Sequence, residues 1–582
     1  MNVKFKILKD LYRYGYENQR KLADRCQVSL GSINQHLKQM VEERILSPDY
    51  EILEKGTNEY EFHKPKRAII LAAGMGVRML PIYNEIPKAL LEVNEKPLIE
   101  TTIEYLKAAG IDEIYIVVGY LKEKFDYLID LYGVELIYNK HYLEFNNYYS
   151  LKLASKHLEN SYIIPGDLYF FNNLFNQVEL NSWYMVGEEK DNDSDFKLMK
   201  NDKLVRCKID ELSNRNIGVA YITKKDADWL NEKLESFSEN PKSNKDFWEE
   251  AIIENDTLKI LARTVTKDDV YEINTYQGLR DLDEGSTHLN AKAIQVAAKA
   301  LNILPLDIEN VSLLKKGMTN RSFLFEAKRE KYIMRIPGEG TDKLINRREE
   351  ADVYKAISPH KISDEIIFID AESGYKIAKF WDDIRCTDGE NYEDVKISMA
   401  ALKNFHNLKL KVSHEFDPFE RIEYYESLWT MDTLFKDYDK TKEKIMGLKN
   451  VMDRAEKEHI LCHIDAVPDN FLIKGDMIKL IDWEYAAMQD PHLDIAMFGI
   501  YAMYEKEDMD RLIEAYFQGD CSEKVKIKIY AYIAICGLVW SNWCEFKRMH
   551  GVEFGEYSLR QYRYAKDYYK LVKEYLDGGG EL

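Results

Sequence analysis

Cysteine is scarce in this sequence, and the cysteines that occur lie far apart. There are seven, an odd number, scattered from Cys26 to Cys544, and no two of them form a C-x-x-C pair. This distribution excludes a disulfide framework of the kind that stabilises small secreted domains. We therefore expect the thiols to be reduced.

Long apolar runs are also missing. The longest, "YAYIAICGLVW" at 530–540, is shorter than the roughly 18–20 residues needed to cross a bilayer. The first residues carry Lys4, Lys6 and Lys9 and contain no apolar core of a signal peptide. These absences predict a soluble, cytoplasmic protein without a membrane segment.

An excess of basic residues is absent as well. The formal net charge of −20 argues against a chain that coats nucleic acid or an anionic membrane. The composition is otherwise that of a globular protein, with 45% hydrophobic and 31% charged residues. Because 582 residues are too many for one hydrophobic core, the length predicts three to five domains.

Residues 1–65 are predicted to form three short amphipathic helices followed by a small β-hairpin in "YEILEKGTNEYEFH" (50–63). This order resembles a winged helix-turn-helix, and a basic side would favour DNA. Over residues 1–67, however, 13 Lys and Arg face 10 Asp and Glu, a net charge of only +3. Dimerisation or regulation therefore fits this segment as well as DNA binding. Its second motif helix is expected to point four polar side chains outward: Ser32, Asn34, Gln35 and Lys38.

Residues 66–286 begin with an apolar strand, a glycine loop and a helix, and strand–helix alternation continues, which predicts an α/β domain with a mainly parallel sheet. Glycines in the loop "LAAGMGVRM" (71–79) let backbone amides approach a triphosphate. Arg78 and Lys88 supply cations, and Asp167 follows a strand at the sheet edge where a metal ion is commonly held. The predicted nucleotide-binding residues of the loop are Leu71, Ala72, Ala73, Gly74 and Gly76.

The pattern L-A-A-G-x-G-x-R followed by P-K resembles the sugar-phosphate and phosphocholine nucleotidyltransferases, over about residues 68–285. Within that family it leans towards CTP:phosphocholine cytidylyltransferases. The resemblance implies a Rossmann-like fold, with CTP and Mg²⁺ bound and Arg78 and Lys88 as catalytic groups. It assigns pyrimidine recognition to Asn147, phosphocholine binding to Asp246, Trp248, Glu249 and Phe196, and metal binding to Asp167, Glu272 and Asn274.

Two positions depart from that family. Asn274 stands where relatives have an aspartate, and a neutral amide is a weaker ligand for Mg²⁺ than a carboxylate. Phe196 stands where relatives tend to have tryptophan. An alternative for the whole segment is a degenerate nucleotide sensor, which the presence of Gly74, Arg78 and Asp167 together disfavours.

Residues 287–582 contain "CHIDAVPDNFLI" (462–473) and "IKLIDWEYA" (478–486). Phosphoryl transfer to a hydroxyl needs a carboxylate near the acceptor and oxygen ligands for a metal. Asp465 is predicted to take the first role, while Asn470 and Asp482 are predicted metal ligands. The segment is expected to open as mixed α/β and to become largely helical, a kinase-like α+β domain.

The D-W-E-Y motif resembles choline/ethanolamine kinases and aminoglycoside phosphotransferases, over about residues 290–580. This resemblance implies that Arg335 is the phosphate-binding cation and that Glu349 is its partner on a helix. It also implies that the G-M-T-N stretch contacts ATP through Thr319 and Asn320. His406 and His463 are expected to be structural rather than proton carriers.

"GLVWSNW" (537–543) places Trp540 and Trp543 on one helix face. Such a pair alone usually fills a core. In the choline kinase family, however, an aromatic box at this position holds trimethylammonium, whose permanent charge is stabilised by π faces and a nearby carboxylate. The predicted choline-binding residues are Trp540, Trp543, Tyr557 and Glu484.

Together the two resemblances imply consecutive reactions, in which choline and ATP give phosphocholine, and phosphocholine and CTP give CDP-choline and pyrophosphate. They also imply a role in decorating surface glycans with phosphocholine, and a homodimer is a further expectation. Two alternatives stay open: the same reactions on ethanolamine or a related amino alcohol, and a choline-responsive DNA-binding regulator.

Overall fold

A computed structural model describes residues 3–82, 86–191, 194, 196–199, 202–207, 211–238, 246–254, 257–314, 320–338, 345–519, 521–549, 552 and 554–582, with residues 77, 191, 254 and 320 described by their backbone only. Contacts divide the chain into one unit of residues 1–294 and a second of residues 295–582. The predicted winged-helix and transferase segments thus share the first unit. The predicted boundary between residues 286 and 287 lies close to the observed division.

The N-terminal segment forms the three predicted helices. Ile33, Leu37 and Met40 are buried along one side of the third helix, at three- and four-residue steps. Asn34, Gln35 and Lys38 are exposed on its other side, as expected, whereas Ser32 is partly buried. The helices are α1 (Val3–Tyr14), α2 (Gln19–Cys26), α3 (Leu30–Glu42) and a fourth, α4 (Glu54–Phe62).

The predicted β-hairpin was wrong, because its place is taken by one isolated bridge between Leu46 and Ile52 and by helix α4. The two buried residues of α4 are Gly56 and Tyr60, a helical spacing. A Cβ on Gly56 would stand 2.7 Å from the carbonyl oxygen of Ile45, so only glycine allows this approach. The alternation of apolar and polar residues in this stretch suggested strands and hid the four-residue spacing of the buried positions.

The helical segment is joined to the transferase domain by direct hydrogen bonds. Asn160 donates its side-chain amide to the carbonyl of Phe62 at 3.0 Å, and the amide of Glu179 donates to the carbonyl of His63 at 2.9 Å. Val178 belongs to the hydrophobic core of the helices. The end of α4 is therefore fixed on the transferase domain.

The transferase domain is built on a seven-stranded sheet of order β14-β8-β11-β6-β1-β4-β5. One half of the sheet, β6-β1-β4-β5, is parallel as predicted, whereas β11 pairs antiparallel with both neighbours. Its strands are β1 (Arg67–Ala72), β4 (Glu113–Val118), β5 (Glu135–Tyr138), β6 (Ser161–Pro165), β8 (Trp183–Asp191), β11 (Ser213–Ile222) and β14 (Leu261–Val265).

Shorter strands and the helices complete this unit. They are β2 (Glu92–Val93), β3 (Lys96–Pro97), β7 (Leu168–Phe170), β9 (Phe196–Leu198), β10 (Leu204–Arg206), β12 (Ile253–Glu254), β13 (Thr257–Leu258), β15 (Val270–Glu272), α5 (Leu98–Ala108), α6 (Tyr127–Tyr132), α7 (Asn147–Leu153), α8 (Lys224–Ser238) and α9 (Tyr276–Leu282). Helix α10 (Lys292–Leu301) begins at the end of this unit and continues into the second. Hydrophobic cores lie on both faces of the large sheet, because β1 buries Ala68 and Ile70 in one core and Ile69 in the other.

The second unit opens with a five-stranded antiparallel sheet of order β16-β17-β18-β20-β19. One helix, α11, follows β18 in the chain. The elements are β16 (Glu309–Leu313), β17 (Asn320–Ala327), β18 (Glu330–Pro337), α11 (Arg347–Ile357), β19 (Ile366–Ile369) and β20 (Lys376–Lys379).

The remainder is largely helical, as predicted, with short strand pairs around the motif loops. Its elements are β21 (Arg385–Cys386), α12 (Tyr392–His406), α13 (Pro418–Ser427), α14 (Tyr438–Gly447), α15 (Lys449–Met452), β22 (Ile460–Cys462), β23 (Phe471–Lys474), β24 (Met477–Leu480), β25 (Ala487–Gln489), α16 (His492–Tyr501), α17 (Lys506–Phe517), α18 (Glu523–Arg548) and α19 (Glu556–Asp577).

Helix α18 is long and apolar enough to cross a membrane by length and composition, and it is the one such helix in the described part of the chain. Its most apolar stretch is completely buried inside the protein. This burial is that of a central core helix.

Candidate active sites

The glycine loop after β1 lines a cavity of about 350 Å³. All six residues predicted for CTP border it, together with Arg78, Lys88 and Asp167. Gly76 has a φ of +65°, and a Cβ at this position would lie 2.7 Å from Cγ of Lys88. Glycine therefore lets the lysine side chain pass against the loop.

Lys88 lies at the centre of the predicted metal ligands. Its Nζ donates to Oδ2 of Asp167 at 3.1 Å and to Oδ1 of Asn274 at 2.8 Å. These residues are 79 and 186 positions away in sequence. Strand β15 brings them together, because it pairs with β7 and because the amide of Ile273 donates to the carbonyl of Asp167 at 3.0 Å.

Glu272 belongs to the same group of charges. Burial raises its pKa, and the nearby carboxylate of Asp167 raises it further. Two carboxylates and an amide oxygen are hard oxygen donors, the set that a divalent cation such as Mg²⁺ prefers. The donor chemistry of Asp167, Glu272 and Asn274 therefore fits a divalent metal.

Sequence reasoning missed part of this cavity. Asn139, Tyr142 and Ser150 also line it, and the side-chain amide of Asn139 donates to the hydroxyl of Ser150 at 3.0 Å. Asn139 directly follows the edge strand β5. Because ligands bind at the carboxyl ends of strands in such sheets, this position is the one sequence signal that could have identified Asn139.

None of the four predicted phosphocholine residues lines this cavity, and two of them, Trp248 and Phe196, belong to the hydrophobic core that also contains Ile69. Trp248 is 1% exposed and Phe196 is 2% exposed, and both rings lie against Tyr184, with centroids at 5.9 Å and 6.4 Å. Tyr184 donates to Glu249 at 3.1 Å. The π face of Trp248 is thus covered, and contact of phosphocholine with these rings stays a prediction, as it does for the partly exposed Asp246.

Asn147 links this cluster to the nucleotide cavity. It borders the cavity, and its Oδ1 accepts a hydrogen bond of 2.8 Å from the amide of Trp248. Asn147 therefore ties the segment that carries Trp248 to the wall of this cavity.

The second unit brings the kinase motif residues into one cavity of about 400 Å³. Asn470 donates from Nδ2 to the carbonyl oxygen of Asp465 at 2.9 Å and to its Oδ2 at 3.3 Å. Its Oδ1 is therefore the atom that can serve a metal, and Asp482 adds carboxylate oxygens on the same cavity wall. Asp482 has a φ of +64°, a strained conformation for a non-glycine residue that is common at functional sites.

Burial raises the pKa of Asp465 to about 8, and the charges of Asp482 and Glu484 add to this rise. A carboxyl group with a pKa close to neutrality can hold or release a proton near the acceptor hydroxyl. The arrangement thus supplies both an acid–base group and oxygen ligands.

Two buried histidines support this loop. His406 places one ring nitrogen 2.8 Å from the hydroxyl of Tyr516 and the other 2.9 Å from Asp494. Asp494 also accepts from the backbone amides of His463 and Ile464, at 2.8 Å and 2.7 Å. The ring of His463 contacts the carbonyl of Ile481 at 2.9 Å. Both histidines thus hold neighbouring groups in place, and their structural role stays a prediction.

The predicted partner of Arg335 was wrong by one position. Glu350, and not Glu349, accepts hydrogen bonds from both terminal nitrogens of Arg335, one of them at 2.7 Å. The helical turn points Glu350 into the protein, where it is 1% exposed, whereas Glu349 lies partly exposed. Thr319 lies outside the described residues, and Asn320 is described only by its backbone at the start of β17.

The aromatic residues predicted to bind choline lie in the same cavity as Asp465. The rings of Trp540 and Trp543 meet edge to face, with centroids 5.7 Å apart. Tyr557 and Glu484 line the same space. Sequence reasoning missed Tyr485 and Tyr501, which also line it; Tyr485 stands beside Trp540 at 5.8 Å.

Family models match all three segments of the chain. They are the winged helix-turn-helix DNA-binding model over residues 2–46, the MobA-like NTP transferase domain over residues 68–181, and choline/ethanolamine kinase over residues 311–535. Their order along the chain agrees with the division predicted from the sequence.

Two known proteins resemble different parts of the chain. Choline-phosphate cytidylyltransferase of Streptococcus pneumoniae is 38% identical over 226 residues, which cover 38% of this chain and 97% of that protein. Protein LicA of Haemophilus influenzae is 28% identical over 278 residues, covering 44% of this chain and 99% of that protein. Among solved structures, choline kinase LicA from Streptococcus pneumoniae aligns with a TM-score of 0.44 and 27% identity, over 49% of this chain and 100% of that one.

Proposed function

Because the chain belongs to the choline-phosphate cytidylyltransferase family and also matches the choline/ethanolamine kinase model, we propose that it converts choline into CDP-choline by two consecutive transfers. The observation that carries the proposal is the pair of cavities on one chain. One joins a glycine loop to Lys88 and Asp167, and the other joins Asp465 to an aromatic wall. The product of the kinase reaction is the substrate of the transferase reaction.

In the kinase reaction, the hydroxyl oxygen of choline forms a bond to the γ-phosphorus of ATP. The bond between that phosphorus and the β,γ-bridging oxygen breaks, and ADP leaves. Asp465 orients the hydroxyl and accepts its proton. Arg335 offers a permanent charge to the ATP phosphates, while Trp540 and Trp543 offer π faces to the trimethylammonium group.

In the transferase reaction, a phosphate oxygen of phosphocholine forms a bond to the α-phosphorus of CTP. The bond to the β-phosphate breaks and pyrophosphate leaves. Arg78 and Lys88 stabilise the negative charge that develops on the phosphate oxygens. The loop amides around Gly74 and Gly76 hold the triphosphate.

A divalent cation, proposed to be Mg²⁺, fits both sites by the oxygen chemistry of the donors. Asp482 and Asn470 would hold it in the kinase cavity, and Asp167, Glu272 and Asn274 in the transferase cavity. When bound, it supplies charge neutralisation to the phosphate oxygens.

The test is incubation with choline, ATP, CTP and Mg²⁺, followed by phosphorus NMR. The wild type is expected to form CDP-choline. Asp167→Ala is expected to accumulate phosphocholine, and Asp465→Ala to form none while still converting added phosphocholine. Formation of CDP-choline by Asp167→Ala at the wild-type rate would contradict the assignment of the transferase site.

The finer parts of the proposal concern substrate and context. Choline is preferred over ethanolamine because a quaternary ammonium gains from aromatic faces and needs no hydrogen-bond acceptor. A coupled kinase assay with both amines tests this, and equal turnover would contradict it. The seven free cysteines support a reducing, cytoplasmic location, and the CDP-choline is proposed to serve phosphocholine transfer to surface glycans.

A second candidate function, DNA-binding regulation by choline, has one observation in its favour. The outer face of α3 exposes Asn34, Gln35 and Lys38 in a segment that matches a DNA-binding family model. A gel-shift experiment at low salt tests it. Sequence-specific retention without turnover would favour the regulator, and turnover without retention would favour the enzyme alone.

A further inference from the structure

Asp469 and Tyr501 join the catalytic loop of the second unit to one end of its aromatic wall. The hydroxyl of Tyr501 donates to Oδ2 of Asp469 at 3.1 Å, across 32 positions in the sequence. Both residues line the cavity of about 400 Å³ that also holds Asp465 and the two tryptophans. An acidic side chain to which the kinase motif gives no role is thus hydrogen-bonded to an aromatic side chain of the proposed choline site.

Tyr501 belongs to a chain of aromatic contacts along this cavity. Its ring meets that of Tyr557 at an angle of 67°, with centroids 6.0 Å apart. From Tyr557 the contacts continue through Phe554 to the tryptophan pair, at centroid distances of 6.4 Å and 5.1 Å. Beyond the pair, Tyr485 lies beside Trp540 at 5.8 Å. Because closely packed rings restrict one another, a bond that holds Tyr501 also restrains Tyr557.

The backbone fixes the place of Asp469 within the catalytic loop. Asp469 lies in a single helical turn, Pro468–Asn470. A hydrogen bond of 2.9 Å from the amide of Asn470 to the carbonyl of Val467 closes this turn. Tyr501, in contrast, is the last residue of helix α16. The contact between the two side chains therefore sets the position of the helix end against the catalytic loop.

The phenol is the donor in this contact at physiological pH. Burial raises the pKa of Tyr501, and the negative charge of Asp469 raises it further. A neutral phenol that donates to a carboxylate makes a charge-assisted hydrogen bond, which is stronger than a bond between neutral groups. Polarisation of the O–H bond also makes the ring more electron-rich, and an electron-rich ring attracts a cation more strongly.

We infer that Asp469 is a positioning residue for choline recognition: it holds Tyr501 in the aromatic wall and makes this part of the cavity attractive to a quaternary ammonium. The inference rests on the proposed choline kinase function. The pair should matter for a substrate that carries a positive charge. It should matter much less for ATP, or for a neutral molecule with the shape of choline.

The test compares choline with 3,3-dimethyl-1-butanol, in which carbon replaces the charged nitrogen. Asp469→Asn keeps the shape of the side chain and removes its charge, so the KM for choline is expected to rise about fivefold. The KM for ATP and the inhibition constant of the neutral alcohol should each change less than about twofold.

Asp437→Asn is the matched control. Asp437 accepts a hydrogen bond of 2.9 Å from the hydroxyl of Tyr562, which is a contact of the same kind in the same unit. Neither residue is among the described residues that line the cavity of Asp465. The variant should therefore leave all three constants within about twofold of the wild type.

Tyr501→Phe gives a second readout, because it keeps the ring and removes the hydrogen bond. The choline KM of this variant is expected to rise about threefold. When Asp469→Asn and Tyr501→Phe are combined, the rise should be smaller than the product of the two single rises, because both changes act on the same bond. A residue that only stabilised the fold would weaken binding of the charged and the neutral compound equally.

Several outcomes would overturn the inference. An unchanged choline KM in Asp469→Asn would do so, as would equal losses for choline and the neutral alcohol, or a larger loss for ATP than for choline. If Asp469→Asn loses the thermal transition of the second unit, the comparison is made with Tyr501→Phe, for which an unchanged ratio of the choline and alcohol constants overturns the inference.

Failure of the proposed function has a different signature. If the wild type binds choline without phosphorylating it, the proposed reaction is wrong, and the dissociation constants of choline and the neutral alcohol are then compared in the same variants. An unchanged ratio of these constants in Asp469→Asn would overturn the inference as well.

Discussion

The carboxylate of Glu350 binds both terminal nitrogens of Arg335 in a place almost closed to solvent. Although burial by itself opposes a charge on Glu350, Lys376, Arg335 and Arg347 together lower its pKa to about 2. Arg335, the proposed cation for the ATP phosphates, is therefore held by a partner that stays ionised throughout the physiological range.

Glu350→Gln is expected to weaken the kinase reaction and the fold of the second unit. Breaking a buried ion pair costs about 3–5 kcal/mol, so the melting temperature of this unit should fall and kcat/KM for ATP should drop by at least about tenfold. Glu349→Gln is the matched control, because Glu349 lies partly exposed one position away. Similar losses in both variants would refute the assignment of Glu350.

Asn274→Asp is expected to lower the Mg²⁺ concentration that the transferase reaction needs. The amide oxygen of Asn274 is 2.8 Å from Nζ of Lys88, in the group that includes Asp167, and a carboxylate there adds a charged oxygen ligand. The Mg²⁺ concentration for half-maximal CDP-choline formation should fall several-fold. The kinase activity of the same preparation serves as the internal control. A higher Mg²⁺ requirement would show that the neutral amide is needed to accommodate Lys88.

Trp540→Ala and Trp543→Ala are each expected to weaken choline binding. A cation–π contact contributes about 0.5–2 kcal/mol, which corresponds to an increase of about 2- to 30-fold in the choline KM. The KM for ATP should change little. Trp540→Phe keeps a π face and should lose less than Trp540→Ala, as measured in a coupled kinase assay. Loss of ATP affinity alone would point to a packing role for these rings.

The stability of the second unit should depend on pH through His492. Burial lowers its pKa from 6.5 to about 4, while Asp490 opposes this shift and Lys528 and His406 strengthen it. Between these values the unfolded chain binds a proton that the folded protein does not. Stability is therefore full above about pH 6.5 and declines by up to about 3 kcal/mol as the pH falls towards 4.

Urea unfolding at several pH values, with hydrogen exchange of the amides of α16 as the probe, measures how the free energy of unfolding depends on pH. His492→Gln removes the titrating group and should give a shallower loss of stability between pH 6.5 and pH 4. An identical slope in wild type and variant would mean that other buried groups account for the acid sensitivity.

Much of both sites could be predicted from local sequence. Gly74, Gly76 and Arg78 lie within one loop, and Asp465 and Asn470 lie within another, so their spacing alone indicates the chemistry. The wrong predictions concern stretches in which the residue pattern fits more than one secondary structure or more than one orientation of a helix. Residues 50–63 have the alternating pattern of strands, but Glu54–Phe62 within them form α4. The adjacent Glu349 and Glu350 could be told apart only once it was known which of them the helix turns towards the core.

The sequence by itself determined the order of the three segments and the residue types of the two catalytic loops, because these depend on contiguous or closely spaced residues. The tertiary structure alone decided that Lys88 meets Asn274 across 186 positions, that Tyr485 lies beside Trp540, and that Glu350 rather than Glu349 pairs with Arg335. Such meetings depend on strand pairing and on how helices rotate to bury their apolar sides, and neither is fixed until the whole unit has packed.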